Sequence, residues 1–300
     1  MKTTALPPLH LLLALAVMVV WGTNFVVIHF AVQHMPPLLL AALRFTFAAF
    51  PAMLFVRRPQ VPWRHLAAYG VFIGAGQFGI LFIAMKGQIA PGLVSLVVQS
   101  QVFFTIGLSM ALTREKVRGF QLAALGLAVV GLGVILIHSG ADATPLGLGL
   151  TLLAAVCWAI GNTIARASGP VNMLGYVVWS APFAVPPLIA FSLIFEGWPA
   201  IVHGLASADA ATWAAVLWQS VGNTLFGYAA WGWLLSRHPT ASVAPLSLLV
   251  PVVGMATASL VVGEPLQTWK LAAAGLVMSG LALNTLWPAL RRRLSPALAS

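Results

Sequence analysis

The sequence predicts an all-α polytopic membrane protein, with ten transmembrane helices arranged as two inverted five-helix repeats around a central cavity. Three observations predict it. The 300 residues are 60% hydrophobic and 7% charged, with a mean hydropathy of +0.97, whereas a soluble domain carries about a quarter charged residues. Apolar runs recur near the roughly 20 residues that cross a bilayer as a helix. Residues of the second half also repeat those of the first at a fixed offset. The 27 glycines and 20 prolines suit membrane helices, where both are commoner than in soluble ones.

The first run, residues 9–30, follows one lysine and lacks a small-x-small cleavage site. It also exceeds the about 7–15 residues of a signal-peptide core, so it reads as a retained span. The next spans fall at 37–56, 65–85, 91–112, 118–138, 146–166, 172–195, 212–235, 241–262 and 267–289. Pro36-Pro37, Pro59, Pro62, Pro145, Pro170 and Pro239 lie in the gaps, where proline does no harm to a helix. Pro51, Pro182, Pro186, Pro187, Pro245 and Pro251 lie inside spans and are expected to bend or break them.

Charge sets the orientation. With the N-terminus cytoplasmic, Lys2, Arg57, Arg58, Arg64, Arg114, Lys116, Arg118, Arg166, Arg237 and Arg291-Arg292-Arg293 lie inside, and only Lys86 and Lys270 outside. Twelve against two is a strong positive-inside bias, and an even number of spans returns the C-terminus to the cytoplasm. The basic tail reads as an anchor at anionic lipid. A net charge of +10 does not indicate nucleic acid, because the basic residues punctuate apolar runs instead of clustering on one solvated face. Cys157 is the single cysteine, which excludes an internal disulfide and leaves it a packing role.

The duplication is explicit. Glu115 matches Glu264 at an offset of 149 residues, and Leu122-Ala123-Ala124, Gly126, Leu127, Gly131 and Leu132 match Leu271-Ala272-Ala273, Gly275, Leu276, Gly280 and Leu281. Phe78-Gly79 aligns with Phe226-Gly227. Two repeats follow, residues 8–138 and 146–290, each with five helices. An odd number makes the second repeat enter from the opposite side, as in many alternating-access carriers.

Trp21-Gly22-Thr23-Asn24-Phe25, Leu43-Arg44-Phe45, Gln77-Phe78, Gln99-Ser100-Gln101, the run Ala244-Pro245-Leu246-Ser247-Leu248-Leu249-Val250-Pro251 and the paired glutamates resemble the EamA family of the drug/metabolite transporter superfamily. The resemblance covers residues 8–290 and is closest to bacterial inner-membrane exporters of amino acids and related metabolites. It implies a cavity formed by helices one to four and six to nine, helices five and ten at the periphery, and Gln77 among the substrate-binding residues.

Arg44 is the only charge well inside a span, where insertion costs at least about 2.5–3.5 kcal/mol. It reads either as a guanidinium that receives a substrate carboxylate or as a structural group tied to backbone carbonyls or reaching the interface. Neutral polar and aromatic residues share single helix faces: Trp21 with Asn24, Ser95 with Gln99, Trp158 with Asn162, Tyr176 with Trp179, Ser180 and Phe183, and Thr224 with Tyr228 and Trp231. Each alone could serve an interhelical hydrogen bond; as a set they point to a substrate cavity. Gln101 falls on a different face and is read as packing. Aromatic walls with scattered amides suit an amino acid with a large side chain. A lipophilic drug cation would call for a membrane carboxylate, and the first helix has none.

Glu115 and Glu264 end spans near water and are expected to bind helix-start amides. The glycines Gly126, Gly131, Gly133, Gly275 and Gly280 are expected to allow close helix approach. The seven histidines lie at span ends or in loops without an H-x-x-x-H spacing, so no metal is expected, and no cofactor either. All five acids sit at span ends or in loops, which favours passive facilitated diffusion; His29, His138 and carbonyls near Pro245 and Pro251 leave ion coupling open. Enzyme and P-loop motifs are absent from the sequence. The inverted repeat favours a carrier over a channel or a structural membrane protein. The expected partners are a small-molecule substrate and membrane lipid, with a monomer as the unit and no nucleic acid.

Overall fold

The computed structural model describes residues 6–113, 119–138, 140, 142–238 and 240–294. Among these, nine helices are long and apolar enough to cross a membrane: Pro8–His34, Pro37–Leu54, Trp63–Met85, Pro91–Leu108, Gly119–Ile137, Pro145–Ala167, Met173–Glu196, Ala244–Val262 and Thr268–Trp287. The helices Trp198–Ser207 and Ala210–Arg237, bent by 102° against each other, together make a tenth when counted as one broken span. In chain order these are spans 1 to 10, with Ala210–Arg237 as span 8. The chain is a multi-pass, all-helical membrane protein.

Spans 1, 2, 4 and 6 begin with proline at or next to the first helical position, where its fixed φ and missing N–H cost nothing. Side chains cap spans 6, 7 and 8. The Thr144 hydroxyl accepts from Gly147 N at 2.9 Å, the Asn172 amide oxygen from Gly175 N at 3.3 Å, and the Asp209 carboxylate from Thr212 N at 2.8 Å. The Thr212 hydroxyl and amide hold the Asp209 carboxyl below its ordinary range.

Two corrections concern the helix interiors. The helix Met173–Phe191 is not broken at Pro182, Pro186 or Pro187, which were expected to bend or break it. Pro251 likewise lies within the helix Leu249–Thr257, whereas Pro245 falls in a 3-10 turn, Ala244–Leu248, at the start of span 9; the longest irregular stretches are two nine-residue π-helical segments, Val71–Gly79 of span 3 and Trp218–Phe226 of span 8. Pro51 does end the regular helix of span 2, at Ala49, and a 3-10 turn follows.

Span 1 packs against spans 8 and 9, span 6 against spans 3 and 4, span 2 against span 7, and span 4 against span 9. Spans 5 and 10 pair extensively with each other and turn Leu122, Val129, Val130 and Leu271 outward. Of their glycines, Gly131 meets Val277 and Gly280 meets the Ala124 carbonyl. Gly126, Gly133 and Gly275 face open space, against expectation. A tighter seam joins spans 3 and 7. A Cβ on Gly70 would lie 2.2 Å from the Ser180 carbonyl oxygen, and one on Gly74 2.1 Å from Ala184 Cβ. Only glycine lets these helices approach so closely.

The bundle has two chemically distinct ends. Asp142, Glu196, Asp209 and Glu264 share one with the starts of spans 2 and 4. Arg57, Arg58, Arg64, Arg166 and Arg237 mark the other, where His10 meets His238 at 2.6 Å and His65 meets Ser168 at 2.9 Å. Arg114, Glu115, Lys116 and Arg118 lie outside the described residues.

Candidate functional site

Spans 2, 3, 7 and 8 enclose a cavity between the two ends. Its walls are Arg44 and Phe45 of span 2, Tyr69, Gly70, Ile73 and Phe78 of span 3, Val177, Ser180 and Ala181 of span 7, and Thr224 and Tyr228 of span 8. It has room for about one water. Both π-helical segments reach it, through Ile73 and Phe78 on one side and Thr224 on the other. Short π-helical insertions in α-helices are frequent at functional sites.

Arg44 is 1% exposed, so it does not reach an interface. It lies seven residues into span 2, about 10 Å from the acidic end. Its Nη2 donates to the Thr224 hydroxyl at 3.2 Å. The guanidinium carbon stacks 3.7 Å from the Phe78 ring centroid and 5.5 Å from that of Phe45. Nε and Nη1 are buried without a partner. The Ser220 hydroxyl donates to the Arg44 carbonyl at 3.0 Å, and the Thr224 hydroxyl to the Gln219 carbonyl at 2.8 Å. The cation's backbone and its one hydrogen-bond partner are therefore both held by span 8. Such a group can accept a planar carboxylate through two parallel N–H···O bonds.

Of the residues read from the sequence, Arg44, Ser180, Thr224 and Tyr228 line this cavity. Trp21 and Trp231 flank it: the Trp21 ring lies 5.8 Å from that of Tyr228 and 5.6 Å from that of Trp231, and its indole donates to the Asn223 carbonyl at 3.1 Å. Asn24 and Gln77 are buried nearby on spans 1 and 3, the Asn24 Oδ1 without a partner. The other residues lie outside it. The Tyr176 hydroxyl meets Ser168 at 2.9 Å near the basic end, and the Trp179 indole donates to the Val56 carbonyl at 2.8 Å. The Ser95 hydroxyl donates to the Gly92 carbonyl at 2.7 Å, and Gln99 and Trp158 are half-buried outside the cavity wall. The Asn162 amide donates to Gln101 at 2.9 Å, so Gln101 is a polar tie between spans 4 and 6, not a packing residue.

Tyr69, Phe45 and Phe78 went unread as cavity residues. Phe45 and Phe78 directly follow Arg44 and Gln77 in sequence, and that adjacency was the available signal. Gln219, wholly buried with both amide atoms unpartnered, was also missed.

The acidic end holds a second buried cation. Lys270 is fully buried and pairs with Glu264 at 3.0 Å and Asp142 at 3.1 Å. Glu264 is itself buried, not water-exposed as expected, and accepts from the Gly92 amide at 2.9 Å at the start of span 4. Here the expectation of a helix-start amide holds. Glu196 does the same for span 2, accepting from the Leu38 and Leu39 amides at 2.7 and 3.2 Å. No group of three or more potential metal ligands occurs among the described residues.

The model of the EamA-like transporter family matches the chain twice, over residues 8–137 and 145–286. A probable amino-acid metabolite efflux pump of Salmonella typhimurium is 45% identical over 286 residues, covering 93% of this chain and 96% of the relative. A protein of the same description from Escherichia coli K12 is 44% identical over 278 residues, covering 91% and 93%. A crystal structure at 21% identity covers 93% of this chain and 97% of its own with a TM-score of 0.59, a likeness of fold.

Proposed function

The chain belongs to the EamA-like transporter family, and from that premise we propose that it exports amino acids and related carboxylate metabolites across the bacterial inner membrane by alternating access. The single observation that carries the substrate class is Arg44, a buried cation with two unpartnered nitrogens on the wall of the cavity. The substrate carboxylate takes one of these nitrogens, Nε or Nη1, together with the second Nη2 hydrogen as a bidentate pair. The aromatic and aliphatic walls, Tyr69, Ile73, Val177 and Tyr228, take the side chain. The names of the relatives support the same class.

The two family matches support a duplicated chain. So does the packing: the partners of span 1, spans 8 and 9, are those that a five-helix repeat maps onto the partners of span 6, spans 3 and 4. In this reading the halves are inverted, residues 8–138 and 146–290. The basic end faces the cytoplasm with both termini, and the acidic end faces outward. One chain supplies the whole cavity wall, so a monomer suffices. Transport is passive and follows the substrate gradient, since Asp142, Glu196, Asp209 and Glu264 are all engaged at the acidic end.

Uptake into proteoliposomes tests this. Arg44→Gln is expected to lower transport of carboxylates about tenfold or more, the cost of about 1–3 kcal/mol for losing a buried charged pairing, and to spare amide analogues. Equal losses for acid and amide would assign Arg44 to structure. An imposed pH or sodium gradient at equal substrate should give no net accumulation. The pH arm also tests His29, whose Nδ1 is buried without a partner.

A further inference from the structure

We propose that Gln219 of span 8 and Asn24 of span 1 read the α-ammonium of the substrate beside Arg44, their side-chain carbonyl oxygens serving as its acceptors. The proposal rests on the Arg44–carboxylate reading and adds the residues that receive the other charge.

Among the described residues, seven buried side-chain nitrogen or oxygen atoms have no hydrogen-bond partner. Five of them belong to Arg44 (Nε, Nη1), Gln219 (Nε2, Oε1) and Asn24 (Oδ1), so the deficit is concentrated on three residues of spans 2, 8 and 1. Gln219 is 0% exposed and Asn24 4%. A buried donor or acceptor left unmade is costly, and a ligand that supplies the missing partners removes that cost.

The packing sets the three residues at one level. The Thr224 hydroxyl accepts from Arg44 Nη2 at 3.2 Å and donates to the Gln219 backbone carbonyl at 2.8 Å, so one hydroxyl bridges the guanidinium and the backbone of Gln219. The Ser220 hydroxyl, one residue on, holds the Arg44 carbonyl at 3.0 Å. Spans 1 and 8 run in opposite directions, since His10 near the start of one meets His238 just past the end of the other. Midway, the Trp21 indole donates to the Asn223 carbonyl. From that contact toward the acidic end, Asn24 is three residues on along span 1 and Gln219 four residues back along span 8, each about one helical turn. The two amides therefore stand at the same height on the seam between these spans. Gln219, Ser220 and Thr224 all belong to the π-helical segment Trp218–Phe226, an irregularity frequent at functional sites.

An α-amino acid carries its carboxylate and its ammonium on one carbon, so a group that receives the ammonium must stand close to Arg44. A buried ammonium has three hydrogens to place and needs acceptors for them. Gln219 Oε1 and Asn24 Oδ1 have no existing bond to give up, whereas the Thr224 hydroxyl and the Gln219 backbone carbonyl already serve each other. Gln219 Nε2 adds a neutral donor for the carboxylate. The rings of Tyr69 and Tyr228 stay with the substrate side chain. Neither amide lines the present cavity, which has room for about one water. A ligand of amino-acid size enters by parting helices, and the unpartnered atoms lie where spans 1 and 2 meet span 8.

The test uses the full chain in proteoliposomes, reading counterflow of labelled leucine against unlabelled leucine, 4-methylpentanoate (leucine without its amino group) and leucinamide (leucine with its carboxylate blocked), with a parallel phenylalanine series. Protection of the detergent-solubilised protein against heat by the same ligands serves variants that exchange slowly. In wild type, leucine is expected to act at concentrations at least about tenfold below either analogue. Gln219→Met, similar in size but without an amide, is expected to weaken leucine about tenfold and to leave 4-methylpentanoate within about threefold of wild type. Asn24→Leu should do the same to a smaller degree, and it carries the test alone if Gln219→Met is not monodisperse. The role of either residue falls if its variant weakens leucine and 4-methylpentanoate by the same factor, which is what a packing role would do. If 4-methylpentanoate matches leucine in wild type, the ammonium assignment falls outright, and the carboxylate reading stands as long as leucine still beats leucinamide. If leucine and leucinamide act equally, or no member of either series acts on monodisperse wild type, both fall.

Discussion

Among the described residues two cations are buried, Arg44 and Lys270, and they are treated in opposite ways. Lys270, at the acidic end, has its charge more than matched by Glu264 and Asp142 at 3.0 and 3.1 Å. Arg44, in the cavity wall, has one hydroxyl, two aromatic faces and two unpartnered nitrogens. Burying a charge is tolerable when geometry and hydrogen bonds compensate it and costly when they do not. The contrast separates their roles: the balanced cation holds the fold, and the unbalanced one holds a place for a ligand.

The sharpest way to break that contrast is to remove the balanced charge. Lys270→Met leaves two carboxylates facing each other without a cation and is expected to cost about 3–5 kcal/mol, read as a fall in Tm in detergent. Adding Asp142→Asn and Glu264→Gln should restore most of that loss; no restoration would mean that Lys270 acts through packing. Next comes the seam beside Arg44. Gly70→Ala pushes a methyl into the Ser180 carbonyl and should cost about 1–3 kcal/mol by overpacking, whereas Gly133→Ala, in open space, should stay within about 0.5 kcal/mol of wild type. Trp21→Phe removes the indole bond to the Asn223 carbonyl and should cost about 1 kcal/mol. The smallest stability change is expected for Arg44→Gln, with Tm at or above wild type although transport of acids falls. A large loss of stability there would place Arg44 with Lys270 as a fold-holding group.

The spans were legible because crossing a bilayer fixes both a length and a composition, and each of the ten reads independently of its neighbours. The helix Trp198–Ser207 was not, because ten residues reach only about 15 Å and the fragment merges with a gap. The cavity was half legible. Arg44, Ser180, Thr224 and Tyr228 were found by asking which polar groups sit in apolar helices. Trp179 and Tyr176 were grouped with Ser180 by a regular 3.6-residue count, but their polar tips turn to Val56 and Ser168 at the helix end. Phe78 escaped because it lies in the π-helical segment of span 3, which shifts side-chain faces in a way that no regular period captures, while Tyr69, in the regular helix just before it, carried no polar neighbour on its face to single it out. Charge balance, in contrast, was only partly readable: the sequence showed where the acids sit along the chain but not that Glu264 and Asp142 would converge on Lys270.

The glutamate caps carry a consequence for biogenesis. Span 2 starts with Pro36-Pro37 and span 4 with Pro91, and the carboxylates that receive their first amides stand 158 and 172 residues later in the chain. While the ribosome is still making the second half, the first half has inserted two helices whose amino ends have no protein acceptor from Glu196 or Glu264. Those ends must use water or lipid headgroups until spans 7 and 9 arrive. The caps of spans 2 and 4 are therefore complete only once the second half is in place. Cut within residues 139–144 and expressed as two pieces, the chain should recover its first half from protease only when the second is supplied, and Glu196→Ala with Glu264→Ala should weaken that rescue.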